Sequence, residues 1–271
     1  MSGTALEAVL RRERAILAAA LVAVTTLAWI YILQLARSME MAGMDMTGFR
    51  MVSNGFAMAM APAQAPWSGG DFVLMFAMWD VMMVGMMTPS AAPMLLIYAR
   101  AGRQAASTAR PLAATGWFLA GYLVMWTSFA LAATTAQWGL ERFGLLDPMM
   151  AGTSRVLGGA VLIAAGIFQW TPLKHACLAQ CQTPLWFIQR HGGFRHDAPG
   201  ALRLGAEHGL YCVGCCWALM ALLFVGGVMN VLWIAALTIF ALAERLVPGG
   251  RLLSRVAGAG LVAAGLPLLL G

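Results

Sequence analysis

Seven stretches of this 271-residue chain are long and apolar enough to cross a lipid bilayer, and its charges fall between them. A spanning helix needs about 20 largely apolar residues. The runs are 15–36, 71–99, 112–138, 149–171, 207–228, 230–247 and 252–270. The second and third exceed that length, which implies tilt or a break. The composition agrees: 61% of residues are hydrophobic, 10% are charged, and the mean hydropathy is +0.77. Soluble domains are about 45–50% apolar and about 25% charged. A water-soluble enzyme, a nucleic-acid partner and a disordered chain are thereby excluded. The expected fold is all-α, a single polytopic bundle over 1–271 with about seven spans, and the lipid bilayer is its first partner.

Orientation follows from the basic residues. With the N-terminus inside, Arg11, Arg12, Arg14, Arg100, Arg103, Arg110, Lys174, Arg190, Arg195, Arg203, Arg245, Arg251 and Arg255 are cytoplasmic. Only Arg37, Arg50 and Arg142 face the other side, and Arg155 falls within a span. This is a positive-inside pattern, and it absorbs the net charge of +6. The apolar run after the N-terminal arginines is too long for a secretory h-region, so it is read as a retained first helix. Residues 37–70 are then an outer segment and 172–206 an inner loop. The expected location is a bacterial cytoplasmic (inner) membrane. No phosphate-binding or dinucleotide fingerprint occurs, and no serine has partners at hydrolase spacing. Nothing in these patterns argues for a hydrolase, and catalysis is not the leading reading.

Sulfur is the unusual element, with 20 methionines and 5 cysteines. One concentration is the outer segment containing Met39, Met41, Met44 and Met46, followed by Met51, Met58 and Met60. Thioethers are soft, uncharged ligands that suit Cu(I) where thiols would oxidise. Surface-lying apolar filler is the plainer alternative. A second is the run Met75, Met78, Met82, Met83, Met86, Met87, ending in Thr88-Pro89-Ser90. The spacing of three or four residues sets most of these on one helix face. Pro89 and Pro93 predict a break in the second span, a feature tolerated only where protein or a cavity satisfies the freed backbone. Methionine packing between helices explains the stripe equally well. Asp80 adds a costly intramembrane charge, functional by default or paired with Arg155.

The third concentration holds every cysteine. His175, Cys177 and Cys181 form one group; His208, Cys212, Cys215 and Cys216 form another, with His208, Cys212 and Cys216 on one helical face. The orientation puts both near the reducing cytoplasmic interface, where thiols persist. Thiolate with imidazole is a ligand set for Cu(I), zinc or an iron centre. His191 and His196 are read as solvated, with a role as an extra ligand for either one the alternative. Lys174, Glu207 and Glu244 are read as snorkelling or pairing with Arg245.

Three blocks resemble a known family: Trp79-Asp80-Val81-Met82-Met83 through Pro93, Lys174 through Pro184, and His208-Gly209-Leu210-Tyr211-Cys212-Val213-Gly214-Cys215-Cys216-Trp217 with Gly227-Val228-Met229-Asn230. The chain is similar there to the predicted metal-binding integral membrane proteins grouped as domain of unknown function 2182. That resemblance implies a multi-helix membrane protein that binds metal, and names neither metal nor task.

The leading expectation is Cu(I) transport or delivery, with outer thioethers, Met82, Met83, Met86 and Met87, and the inner thiols and imidazoles as successive ligands. A metallochaperone would be its exchange partner. The alternatives are an accessory subunit of a larger membrane complex with a structural zinc or iron site, and a membrane thiol oxidoreductase using the paired cysteines.

Overall fold

The structure, a computed structural model, describes residues 3–41, 49–53, 58–62, 67–105, 111–146, 152 and 154–270, with side chains for 15–37, 67–102, 113–146, 152 and 154–270. Nearly all of it is helix. In chain order come α1 (Gly3–Met41), a hairpin of β1 (Phe49–Ser53) and β2 (Met58–Pro62), α2 (Gly69–Ala105), α3 (Pro111–Arg142), α4 (Arg155–Phe168), α5 (Pro172–Gln182), α6 (Pro184–Arg190), α7 (Ala198–Ala221), α8 (Leu223–Gly226), α9 (Val231–Leu246) and α10 (Gly250–Leu270). The hairpin lies in the segment expected outside, with Met51 opposite Met60 in its register.

Five helical stretches are long and apolar enough to cross a membrane: Ala15–Arg37, Gly69–Gly102, Ala113–Arg142, Ala198–Gly226 and Gly250–Leu270. A sixth arises if α4 and α5, bent by 64°, count as one broken span. This is fewer than the seven apolar runs. The run 230–247 forms only the 16 residues of α9, about 24 Å at 1.5 Å per residue and short of a hydrocarbon core of about 30 Å. Asn230 caps its start by accepting the Trp233 N–H, and Pro248 follows its end. The stretch 172–206 is no loop either, since it contains α5, α6 and the first turns of α7. Large apolar side chains such as Val22, Leu27, Leu232, Ile239 and Leu252 point outward. An apolar exterior of that extent suits lipid, not water.

The break expected at Pro89 is absent: α2 runs unbroken through both Pro89 and Pro93. Proline removes the N–H that would bond the carbonyl four residues earlier, here that of Gly85. The Trp29 indole of α1 donates to that carbonyl at 3.3 Å. A neighbouring helix thus restores the lost bond, as the apolar setting requires. Gly85 makes the approach feasible, because a Cβ there would stand 3.1 Å from Ala28 Cβ.

Two pairs of helices pack backbone to backbone. Parallel α3 and α7 meet through Gly121, Gly205 and Gly209. A Cβ on Gly205 would run into the Phe118 carbonyl, one on Gly121 into that of Leu202, and one on Gly209 would lie 3.0 Å from that of Tyr122. Antiparallel α4 and α10 meet through two glycine pairs. Gly159 faces Gly265, and Gly166 faces Gly258, with would-be Cβ to carbonyl distances of 2.7–2.9 Å. Small residues are what allow close helix contact where no hydrophobic drive separates protein from lipid. They also explain why the last run is rich in glycine.

Gly205→Ala should therefore lower stability in detergent by at least about 1–3 kcal/mol, the range for overpacking. Gly260→Ala, with nothing within 4 Å of its Cβ, should not. Thermal melts of the two variants make the comparison, and equal melting temperatures would contradict it.

Candidate metal centre

Helix α7 carries three of the five cysteines, and Cys212 is the middle residue of the Ala198–Gly226 stretch. Its register is set by α3. The Tyr122 hydroxyl lies 3.0 Å from Cys212 Sγ, and the Trp126 indole donates to the same sulfur at 3.3 Å. Tyr122 also donates to the Met87 carbonyl of α2 at 3.1 Å. Met87 stands near the midpoint of Gly69–Gly102. The thiols of α7 thus lie midway along an apolar helical stretch of span length, level with the middle of α2. Helix α5 comes to the same level. After Thr171 caps its start, it turns by 64° from α4 and runs inward against α7 and α9.

This turn brings the two cysteine groups together. The Cys181 thiol comes within hydrogen-bonding reach of the Cys212 and Cys215 sulfurs. Cys215 Sγ stands 3.5 Å from Cys216 Sγ and donates to the Cys212 carbonyl at 3.2 Å. Cys212, Cys215 and Cys216 are fully buried. Cys177 also faces α7, at Gly214, where a Cβ would sit 2.9 Å from its sulfur. All five cysteines are free thiols. The four clustered sulfurs are supplied by α5 and α7 alone.

The histidines are placed elsewhere. His208 is buried one turn before Cys212, and its ring packs on Tyr122, Phe118 and Phe187 at 5.9, 5.9 and 5.1 Å. Its Nδ1 has no hydrogen-bond partner. His175 turns toward the cations Arg255, Arg251 and Lys174, and both of its ring nitrogens lack a partner. Among the described residues, no three His, Cys, Asp or Glu side chains form a metal-chelating group. The arrangement is a cluster of neighbouring thiols. That donor set is soft, and soft thiolates favour Cu(I).

Methionines make up the adjoining core. Met75, Met78, Met82, Met83, Met86 and Met87 are all buried, and so are Met94, Met220 and Met229, none of which the spacing argument singled out as a site. Toward the N-terminal end of α2, Trp79 donates to Gln137 at 2.7 Å, and Gln137 approaches Met75 Sδ at 3.8 Å and bonds Glu141 at 2.8 Å. Trp67 closes that chain on Glu141 at 2.8 Å. The partner given to Asp80 is the Thr127 hydroxyl, at 2.7 Å. Of the outer methionines, Met44 and Met46 and the side chains of Met39 and Met41 lie outside the described residues.

Two buried cations flank the thiols. Lys174 of α5 pairs with Glu244 of α9 at 2.8 Å, with both side chains essentially inaccessible, and Ser254 donates to the other Glu244 oxygen at 2.6 Å. Neither residue snorkels, contrary to the reading from their positions at span ends. Arg245 is buried beside the sulfurs. It donates to Cys216 Sγ at 2.8 Å, to Cys215 Sγ at 3.6 Å and to the Ser90 hydroxyl. Its place in the cluster was missed in the sequence, as were Tyr122, Trp126 and Ser90. The available signal was an arginine at the end of an apolar run, with two candidate cations, Lys174 and Arg245, for the one Glu244.

A family model described as PpoB2, copper chaperone, matches residues 76–268. The chain belongs to the PpoB2 copper chaperone family. The matched region includes Met78 through Met94, all five cysteines and Arg245, and leaves out the outer methionines. No curated protein sequence and no solved structure matches the chain. Copper handling in general, and a helical chain with spans of membrane length, are thus the shared ground of family and fold.

The Lys174–Glu244 pair locks α5 in place. Glu244→Leu, which leaves Lys174 buried without a counter-charge, should cost about 3–5 kcal/mol. Lys174→Met combined with Glu244→Leu should cost less than Glu244→Leu alone. Chemical denaturation of the three forms would show this, and a double variant weaker than the single would refute the pairing role.

Proposed function

We propose that this chain takes up Cu(I) within the membrane and hands it on, with the thiols of Cys181, Cys212, Cys215 and Cys216 as the central station. The observation that carries the reading is the convergence of α5 and α7 on one buried sulfur cluster. A helix that bends and ends inside a bundle resembles the discontinuous helices that line many transport sites. Copper is cargo here, and the donor chemistry suits it: neighbouring soft thiols such as the Cys215–Cys216 pair, no imidazole in contact, and a buried thioether core alongside. Met82, Met83, Met86 and Met87 lead toward the cluster from one side. Tyr122 links the two regions by bonding both the Met87 carbonyl and Cys212.

In this reading the methionines exchange an ion that thiols hold more strongly. Thioethers bind as neutral ligands and let go readily, while thiolates anchor. Met39, Met41, Met44 and Met46 are the proposed collecting point on the outer side, and a soluble metallochaperone or a copper enzyme is the proposed partner at the exit. His175 and His208 are assigned supporting places: His208 holds Tyr122 and α7 in register, and His175 sits on the α10 side of α5. Asp80, held by Thr127, is proposed to attract the cation along α2. Membrane insertion with the N-terminus inside is supported by the distribution of arginines and by the outward apolar surface.

Anaerobic Cu(I) titration against a competing chelator, on the full chain in nanodiscs, tests the central station. Wild-type protein should hold copper tightly, and the variant with Cys212, Cys215 and Cys216 all changed to Ser should lose that tight binding while remaining folded. Unchanged stoichiometry in the triple variant would remove the cluster from the function.

A further inference from the structure

Arg245 is difficult to explain as packing. A buried cation is costly unless it is paired, and arginine does not shed its charge. Arg245 belongs to neither the Lys174–Glu244 nor the Arg203–Glu207 ion pair. The adjacent Glu244 is already matched by Lys174 and Ser254. What the guanidinium does face is sulfur, at 2.8 Å in Cys216 and 3.6 Å in Cys215, with the Ser90 hydroxyl holding its other arm. Its Nε has no partner. A fixed positive charge has been placed against thiols, in an interior with no carboxylate assigned to it.

Charge arithmetic gives this placement a meaning. Two thiolates and one Cu(I) carry a net charge of minus one, which the guanidinium cancels, so the loaded cluster is neutral. The same two thiolates with a divalent ion such as Zn²⁺ are neutral by themselves, and Arg245 would then remain as an uncompensated buried charge. The penalty falls on the divalent ion only. Sulfur bound to copper keeps lone pairs that can accept from Nη2, so the present contacts are compatible with loading.

We propose that Arg245 is the built-in counter-ion of the thiol cluster, a positioning residue whose charge selects a monovalent over a divalent metal. The inference rests on the reading of the cluster as a Cu(I) site and adds the origin of its selectivity. Softness alone favours copper over zinc at any thiolate pair. The charge term adds to softness and is removable by mutation without touching a ligand.

The test compares the affinities of the full chain, in nanodiscs, for Cu(I) and for Zn²⁺. The forms are wild type, Arg245→Gln, Arg245→Leu and Arg245→Lys. Two neutral variants are made because an apolar side chain such as leucine often replaces a buried charge without loss of folding, and leucine adds no metal ligand. In either one the ratio of Cu(I) to Zn²⁺ affinity should fall by at least about tenfold, the lower end of what one unit charge does at this range. In Arg245→Lys, which keeps the charge, the ratio should stay within about threefold of wild type on the same argument. A residue that only maintains the fold would lower both affinities together and leave the ratio unchanged, and that result overturns the proposal. So does a ratio in Arg245→Lys that falls as far as in the neutral forms. If wild type binds no Cu(I), the Cu(I) reading itself fails. If wild type binds copper through the cysteines and the ratio does not respond to Arg245, only the counter-ion role fails.

Discussion

The close approach of α3 and α7 is the contact from which the rest of the centre follows. Gly121, Gly205 and Gly209 let the two backbones touch where any side chain would collide with a carbonyl. Because the helices lie parallel and in fixed register, Tyr122 and Trp126 meet Cys212, and Tyr122 reaches across to Met87. One narrow seam therefore connects the sulfur of α7 to the thioether core of α2. Without the glycines the helices would stand further apart, and the hydroxyl and indole would not reach the thiol.

A second constraint governs the bend between α4 and α5. In an apolar surrounding, a helix that stops short must have its polar groups satisfied by protein. Here the Thr171 hydroxyl caps α5, Lys174 finds Glu244, and Gln182 donates to the Glu244 carbonyl at 2.7 Å. These bonds allow an 11-residue helix to carry Cys177 and Cys181 inward instead of continuing across. The same rule explains α2, where Trp29 supplies the donor that Pro89 removed. In one case the rule yields a turn toward the site and in the other a straight helix.

The sequence made the helices legible because apolar length and charge position are local properties, and the five long spans follow from them. The meeting of the two cysteine groups was legible too, since thiols clustered in only two short stretches. What escaped was set by distant partners. Pro89 reads as a break unless Trp29 is known to stand beside Gly85. The run 230–247 is a different case, since Asn230 and Pro248, which bound its short helix, stand in the sequence itself. His175 and His208 share short stretches with cysteines, yet helix register turns His175 toward α10 and stacks His208 among aromatic rings. Arg245 reads as an ion-pair partner for a span-end residue such as Glu244, and only the tertiary fold shows that its neighbours are sulfur and Ser90.

The central claim is a copper site built from sulfur, with the nearby imidazoles left out of it. X-ray absorption at the copper K-edge, on the full chain loaded with one equivalent of Cu(I) in nanodiscs, reads that shell directly. A first shell of sulfur alone, at low coordination number, is the expected result. A shell containing imidazole nitrogen would contradict it, because His175 and His208 stand apart from the thiols in this fold.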